Sequence, residues 1–259
     1  MFLKKIVLFI FLSLLFTDDL DPIEIINKSI NRFNGINIEF ESSIKQQSTN
    51  DDPRDFNLDF KTYWPYRDSL FCYNYTKFNS PIDYKDIEIW THYNADTILI
   101  RKKLPIDNKI TDIDKDSENA DIINLFNFME LFNEVKDKNF SIKDSKINGK
   151  EVFYIKAFLK RSKKKATKIY IDKEDYSIHK IEWTDKRGRI NKSIKFNNWN
   201  SYEFVNMYDK IDTINFSKKI VYEDIRNGSK ITCKLNDVKF NEIKNSNIQK
   251  IELGFNFEK

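Results

Sequence analysis

The scarcest reactive side chains in this 259-residue chain are two histidines and two cysteines. His92 and His179 each lie beside an aromatic or apolar run. Neither has a Ser, Cys or Asp at a spacing that marks a catalytic motif. Cys72 and Cys233 are far apart, which excludes a C-x-x-C redox pair and the usual zinc clusters. No G-x-S-x-G or H-E-x-x-H sequence occurs. The five glycines form neither a P-loop nor a Rossmann fingerprint. Carboxylates are plentiful at Asp+Glu 40, so a pair for glycoside hydrolysis stays possible, yet nothing singles one out. The expectation is a chain with no catalytic residue, no metal and no cofactor.

Charge is balanced. Lys+Arg 44 against Asp+Glu 40 gives a net charge of +4, spread too evenly for a nucleic-acid footprint. The densest positive run, Arg161-Ser162-Lys163-Lys164-Lys165, reads as a solvated hairpin tip; the alternative is a docking patch for anionic headgroups or an acidic partner. Core material is ample, with Phe 22, Tyr 12 and Trp 4, so disorder is not expected.

Lys4-Lys5, the apolar run Ile6 to Phe16 and the polar stop Thr17-Asp18-Asp19 fit a secretory signal peptide over residues 1–17. The run is too short to cross a full bilayer, which needs about twenty residues. An uncleaved anchor is the alternative. Export would bring Cys72 and Cys233 into an oxidising compartment, where they either pair or pack as free thiols.

Those scarce groups must be carried by a scaffold. Asp21-Pro22-Ile23-Glu24 is a helix start, with Asp21 as cap and Pro22 in the first turn. Ile23, Ile26, Ile30 and Phe33 then form an apolar stripe that stops at Gly35. Alternating runs follow: Ile36 to Ile44, Phe56 to Thr62, residues 70–78, and a hairpin from Ile87 to Ile100. Residues 104–116 read as a loop. Ile122, Leu125, Phe126, Met129 and Phe132 mark a second helix that ends near Lys136. Strands then resume to about Phe240, with turns at Asn148-Gly149, Lys173-Glu174-Asp175, Gly188 and Asn227-Gly228. The expected strands are Ile190 to Phe196, Lys218 to Glu223, Ser229 to Leu235 and a last one with Val238 and Phe240. That makes ten to twelve strands and two helices in one domain, residues 18–259. So many antiparallel strands curl. The expected fold is mainly β, an unclosed antiparallel barrel with helices covering its concave face.

The order of parts resembles the periplasmic outer-membrane lipoprotein carriers, the LolA- and LolB-like lipoprotein-sorting proteins. Four stretches carry the likeness: Asp21-Pro22-Ile23-Glu24-Ile25-Ile26; Tyr63-Trp64-Pro65-Tyr66-Arg67; Asp86-Ile87-Glu88-Ile89-Trp90-Thr91-His92-Tyr93-Asn94; and Ile169-Tyr170-Ile171-Asp172 with Ile178 to Asp185 and Gly188. The sequence departs from the family at Lys85-Asp86, where a Gly is usual, and in its longer C-terminal part without a proline-rich finish.

The resemblance implies a monomeric periplasmic carrier without covalent chemistry. Its cavity takes lipoprotein acyl chains or other lipids. Its partners are an inner-membrane releasing complex and an outer-membrane acceptor. A lipid-sensing regulatory domain of the same fold and an exported hydrolase are the rival readings. The expected cavity residues are Ile23, Ile26, Ile30, Phe40, Phe60, Trp64, Arg67, Phe71, Trp90, Leu99, Ile122, Phe126, Met129 and Trp183. Arg67 falls near the family's functional arginine and is expected to latch sheet to helix through its planar fork.

Overall fold

The computed structural model describes residues 21–49, 52–63, 71–94, 98–106, 109–113, 131, 134–206 and 208–241. The expected leader, Trp64, Arg67 and most of the expected second helix lie outside them.

Helix α1 spans Pro22–Asn31. Asp21 caps it by accepting from the Ile23 N–H at 2.9 Å. Its buried side chains are Ile25, Ile26, Ser29 and Ile30, followed by Phe33. The buried stripe is therefore rotated from the expected one: Ile25 replaces Ile23, which is only half-buried. The chain leaves the helix through Gly35, whose φ of 74° suits glycine.

Thirteen antiparallel strands follow in one continuous sheet: β1 (Asn37–Gln47), β2 (Arg54–Tyr63), β3 (Phe71–Ser80), β4 (Glu88–Asn94), β5 (Ile98–Lys103), β6 (Ile110–Asp112), β7 (Asn139–Ile147), β8 (Lys150–Leu159), β9 (Ser162–Asp172), β10 (Ile178–Thr184), β11 (Ile190–Val205), β12 (Ile211–Asp224) and β13 (Ser229–Phe240). Their spatial order is β6-β5-β4-β3-β2-β1-β13-β12-β11-β10-β9-β8-β7. The chain starts at the centre, meanders to the edge strand β6, crosses to the opposite edge β7, and meanders back until β13 pairs with β1. Among the described residues β6 and β7 do not pair, so the curved sheet is unclosed.

The crossing connection contains helical residues at 131 and 134–135. Leu131 and Val135 are buried four residues apart, on one helical face.

The strands alternate as period two requires. In β1 the buried set is Ile38, Phe40, Ser42 and Ile44; in β2 it is Phe56, Leu58, Phe60 and Thr62. Register places Phe40 opposite Phe60, and their rings stack with centroids 4.8 Å apart. This inner face, with α1 and the crossing segment on it, holds the core.

The structure differs from expectation in four places. Residues 110–112, expected as loop, form the short edge strand β6. β11 and β12 run far beyond Phe196 and back before Lys218, because Asn197 to Tyr202 and Asn215 to Ser217 stay paired despite their polarity. The last two expected strands are one, β13, kinked by Asp237 at φ 46° and a register shift opposite Glu39 to Glu41. The strand count is thus thirteen rather than ten to twelve.

Candidate functional site

An apolar cleft opens where the C-terminal end of α1 meets the walls made by β10, β11 and β12. From the helix side it is lined by Ser29, Arg32 and Phe33. Ile178, Phe196 and Trp199 form a second wall; Asn215, Phe216, Ser217 and Ile220 form the third. Its empty volume is about 420 Å³, counting space open to solvent.

Local chemistry explains the shape. Asn198 takes a φ of 54°, which asparagine tolerates, and it turns the backbone of β11 beside Trp199. Ser217 stitches this irregularity to β12. Its Oγ accepts from the Asn197 N–H at 3.0 Å and donates to the Asn197 carbonyl at 2.7 Å. The Trp199 Nε1–H donates to the Phe196 carbonyl at 3.1 Å, so its polar edge is satisfied and its ring serves as wall. Phe216 meets Phe33 edge-on at 6.1 Å and Phe240 at 5.6 Å, and so braces the helix end against the sheet.

Among the described residues Arg32 is the one cation lining this cleft. Its side chain is only 12% exposed. Nη2 donates to the Asn215 carbonyl at 2.7 Å and lies 3.6 Å from Asp175 Oδ2. Burial lowers the guanidinium pKa, while the nearby Asp175 and Asp172 raise it. An arginine stays charged through such a shift. Asp175 accepts from the Ser177 N–H at 2.9 Å and from Asn215 Nδ2 at 2.7 Å. Burial alone would raise its pKa, but these hydrogen bonds and the Arg32 charge hold it below the ordinary carboxylate value.

A second polar group lies beside it. His179 Nε2 is 3.0 Å from Asp172 Oδ2, and both residues are buried. The His179 ring lies 4.9 Å from the Trp199 ring. Asp172 also accepts from the Glu174 N–H at 2.9 Å and from Lys150 Nζ at 3.4 Å. Burial opposes its ionisation, yet these bonds keep its pKa lowered. His179 thus has an aspartate partner that motif spacing did not reveal, because a strand turn brings residue 172 back to residue 179.

The sequence-derived cavity residues are dispersed. Ile26 and Ile30 are fully buried, and Phe40 and Phe60 sit in the dense inner-face stack. Ile23 is half-buried on α1. Trp183 is half-buried on the inner face, where it meets the crossing segment. Trp90 and Leu99 lie on the opposite face: Trp90 pairs with Tyr75 and Arg101, and Leu99 with His92. Both are therefore outside the cleft, because their neighbours Ile89 and Ile100 take the inward positions. Of Phe71 only the backbone, in β3, is described. Trp64, Arg67, Ile122, Phe126 and Met129 lie outside the described residues. None of the eight whose side chains are described lines the cleft. Its lining was missed, although a cation at Arg32, next to Phe33 at the end of the apolar stripe, was a usable signal.

Cys72 and Cys233 are free and buried. β2 and β1 separate their strands, so about three strand spacings, roughly 14 Å, lie between them, against the ~7 Å limit for a disulfide. Burial pushes the Cys233 thiol up to about 12 and raises Cys72 as well, so neither is a ready nucleophile.

No protein-family model matches the chain, and no curated protein matches it. Solved structures do. An outer membrane lipoprotein-sorting protein domain from Vibrio parahaemolyticus aligns with TM-score 0.64 and 15% identity, over 90% of this chain and 97% of that one. A DUF1329 family protein from Desulfovibrio piger aligns with TM-score 0.64 and 11% identity, over 86% and 94%. A LolA superfamily protein from Nitrosomonas europaea aligns with TM-score 0.53 and 12% identity, over 86% and 94%. At these identities the likeness is one of fold. The chain has a LolA-like fold: an unclosed antiparallel sheet with a helix on its inner face.

Proposed function

We propose that this protein is a periplasmic, non-enzymatic carrier of acyl chains. It would take lipoprotein lipid or another amphiphile from an inner-membrane releasing complex and pass it toward an outer-membrane acceptor. The observation that supports this most is the cleft between α1 and β10 to β12, whose walls are aromatic and aliphatic and which is open to solvent on one side. Each methylene moved from water into such a site contributes about 0.8 kcal/mol. A small cleft that covers part of a chain collects enough to bind it and little enough to release it. The LolA-like fold is consistent with this role but does not specify it, since one fold hosts several functions.

The test is mass spectrometry of organic extracts from the protein purified from a periplasm without detergent. Near-stoichiometric lipid, fatty acid or lipoprotein is the expected result. An empty extract, together with no complex after lipoprotein or phospholipid is added, would overturn the reading.

A further inference from the structure

Arg32 and Ser29 are more polar than an acyl chain requires. They lie three residues apart at the end of α1, on one helical face. Ser29 is 2% exposed, and its Oγ has no hydrogen-bond partner among the described residues. An unpaired buried hydroxyl is costly and uncommon. Arg32 carries five N–H donors. Among the described residues only Nη2 has a hydrogen-bond acceptor, the Asn215 carbonyl. Asp175 is 3.6 Å away, longer than the ~2.7–2.9 Å of a charge-assisted bond. Its carboxylate is already engaged by Asn215 Nδ2 and the Ser177 N–H. Both Ser29 and Arg32 line the cleft, next to Phe33, Trp199 and Phe216. A buried hydroxyl and the open part of a guanidinium fork thus meet at an apolar wall.

We infer that the cleft takes an amphiphile with an acyl chain and a carboxylate head, the head held by Arg32 and Ser29 and the chain lying along Phe33, Trp199 and Phe216. A planar carboxylate matches the fork of arginine and leaves a lone pair for the serine hydroxyl. This rests on the carrier reading and narrows its cargo.

The test is titration calorimetry of the full chain with decanoate and with 1-decanol, each below its aggregation limit. The two share a chain and differ in the head. Decanoate is expected to bind roughly ten- to hundredfold tighter. Ser29→Ala should weaken decanoate severalfold and leave decanol unchanged. Arg32→Met should abolish the preference, and Arg32→Lys should retain part of it. Equal binding of both ligands by the unaltered protein would overturn the inference and leave the carrier reading standing. So would a preference that persists in folded Arg32→Met. Binding of neither ligand would overturn the inference, and the lipid extract then decides the carrier reading separately. If Arg32→Met does not fold, the unaltered protein and Ser29→Ala decide.

Discussion

Trp183 donates its indole Nε1–H to Glu134 Oε2 at 2.7 Å, tying the segment that crosses between the sheet's edges to the face it crosses. The other carboxylate oxygen, Oε1, accepts from Thr167 Oγ1 at 2.6 Å and from Lys138 Nζ at 2.9 Å. One carboxylate therefore gathers donors from β9, β10 and its own segment. Glu134→Ala should lower stability by about 1–2 kcal/mol and raise the solvent exposure of Trp183. Glu134→Gln, which keeps one acceptor oxygen, should cost less. Urea denaturation with tryptophan emission checks both, and equal stability of all three proteins would contradict the anchor.

Acid should weaken the fold through Asp172 and Asp175. Both have folded pKa values below the ordinary one. Their contribution is thus full above the unfolded value of about 3.9 and disappears as pH falls through the folded values. Stability should be flat in these groups from neutrality to about pH 5 and fall below about pH 4. Asp172→Asn should be less stable than the unaltered protein near neutrality, with a gap that narrows in acid. Urea midpoints at the two ends of that range measure it; a gap that widens in acid would contradict the assignment.

Phe216, on β12, joins Phe33 at the helix end to Phe240 on the neighbouring strand β13. Phe216→Ala should cost about 3–5 kcal/mol, as large aromatic truncations do in cores. Phe216→Leu should cost much less. Thermal unfolding checks the order. A small loss for alanine would mean that the cleft collapses to fill the space.

Gly149 and Gly228 separate two causes of glycine dependence. Gly149 closes the β7–β8 hairpin at φ 84°, after Asn148 at φ 51°, and a Cβ there would meet nothing within 4 Å. Gly149→Ala should cost only the backbone penalty, about 1–2 kcal/mol. At Gly228 a Cβ would come within 2.6 Å of the Thr49 side chain as well. Gly228→Ala should therefore cost more, and Thr49→Ala should recover part of that loss. Denaturation midpoints of the single and double variants check this.

Neither thiol should react in the native state, since Cys72 and Cys233 are both buried. Unfolding without reductant should expose two reactive thiols to an alkylating reagent, read by intact mass. Finding none would mean that a disulfide had formed despite the strands between them.

The fold was largely legible in the sequence because each half-buried strand advertises its face by alternation. Ile38, Phe40 and Ile44 do so, as do Phe56, Leu58 and Phe60. The helix start at Asp21-Pro22 and the Asn148-Gly149 hairpin were legible for the same local reasons. The cleft was not. Its walls come from stretches such as Asn197 to Asn200 and Asn215 to Ser217, where polar residues conceal strand pairing supplied by neighbouring chains. Trp90 shows how alternation outranks size. Its size suggested a cavity wall, but alternation fixes its face, and Ile89 and Thr91 already take the inward positions.

The backbone amide of Asn37 donates to the Asn241 side-chain oxygen at 2.8 Å, and the amide of Asn241 donates to the carbonyl of Asn37 at 2.8 Å, across 204 residues of sequence. This clasp sits at the seam where β13 meets β1. On a ribosome β1 appears long before β13, so the central seam of the sheet must stay unzipped until the chain between them has emerged. Pairings this distant in sequence close slowly. During that interval β1 offers an unpaired edge, open to mispairing with another strand.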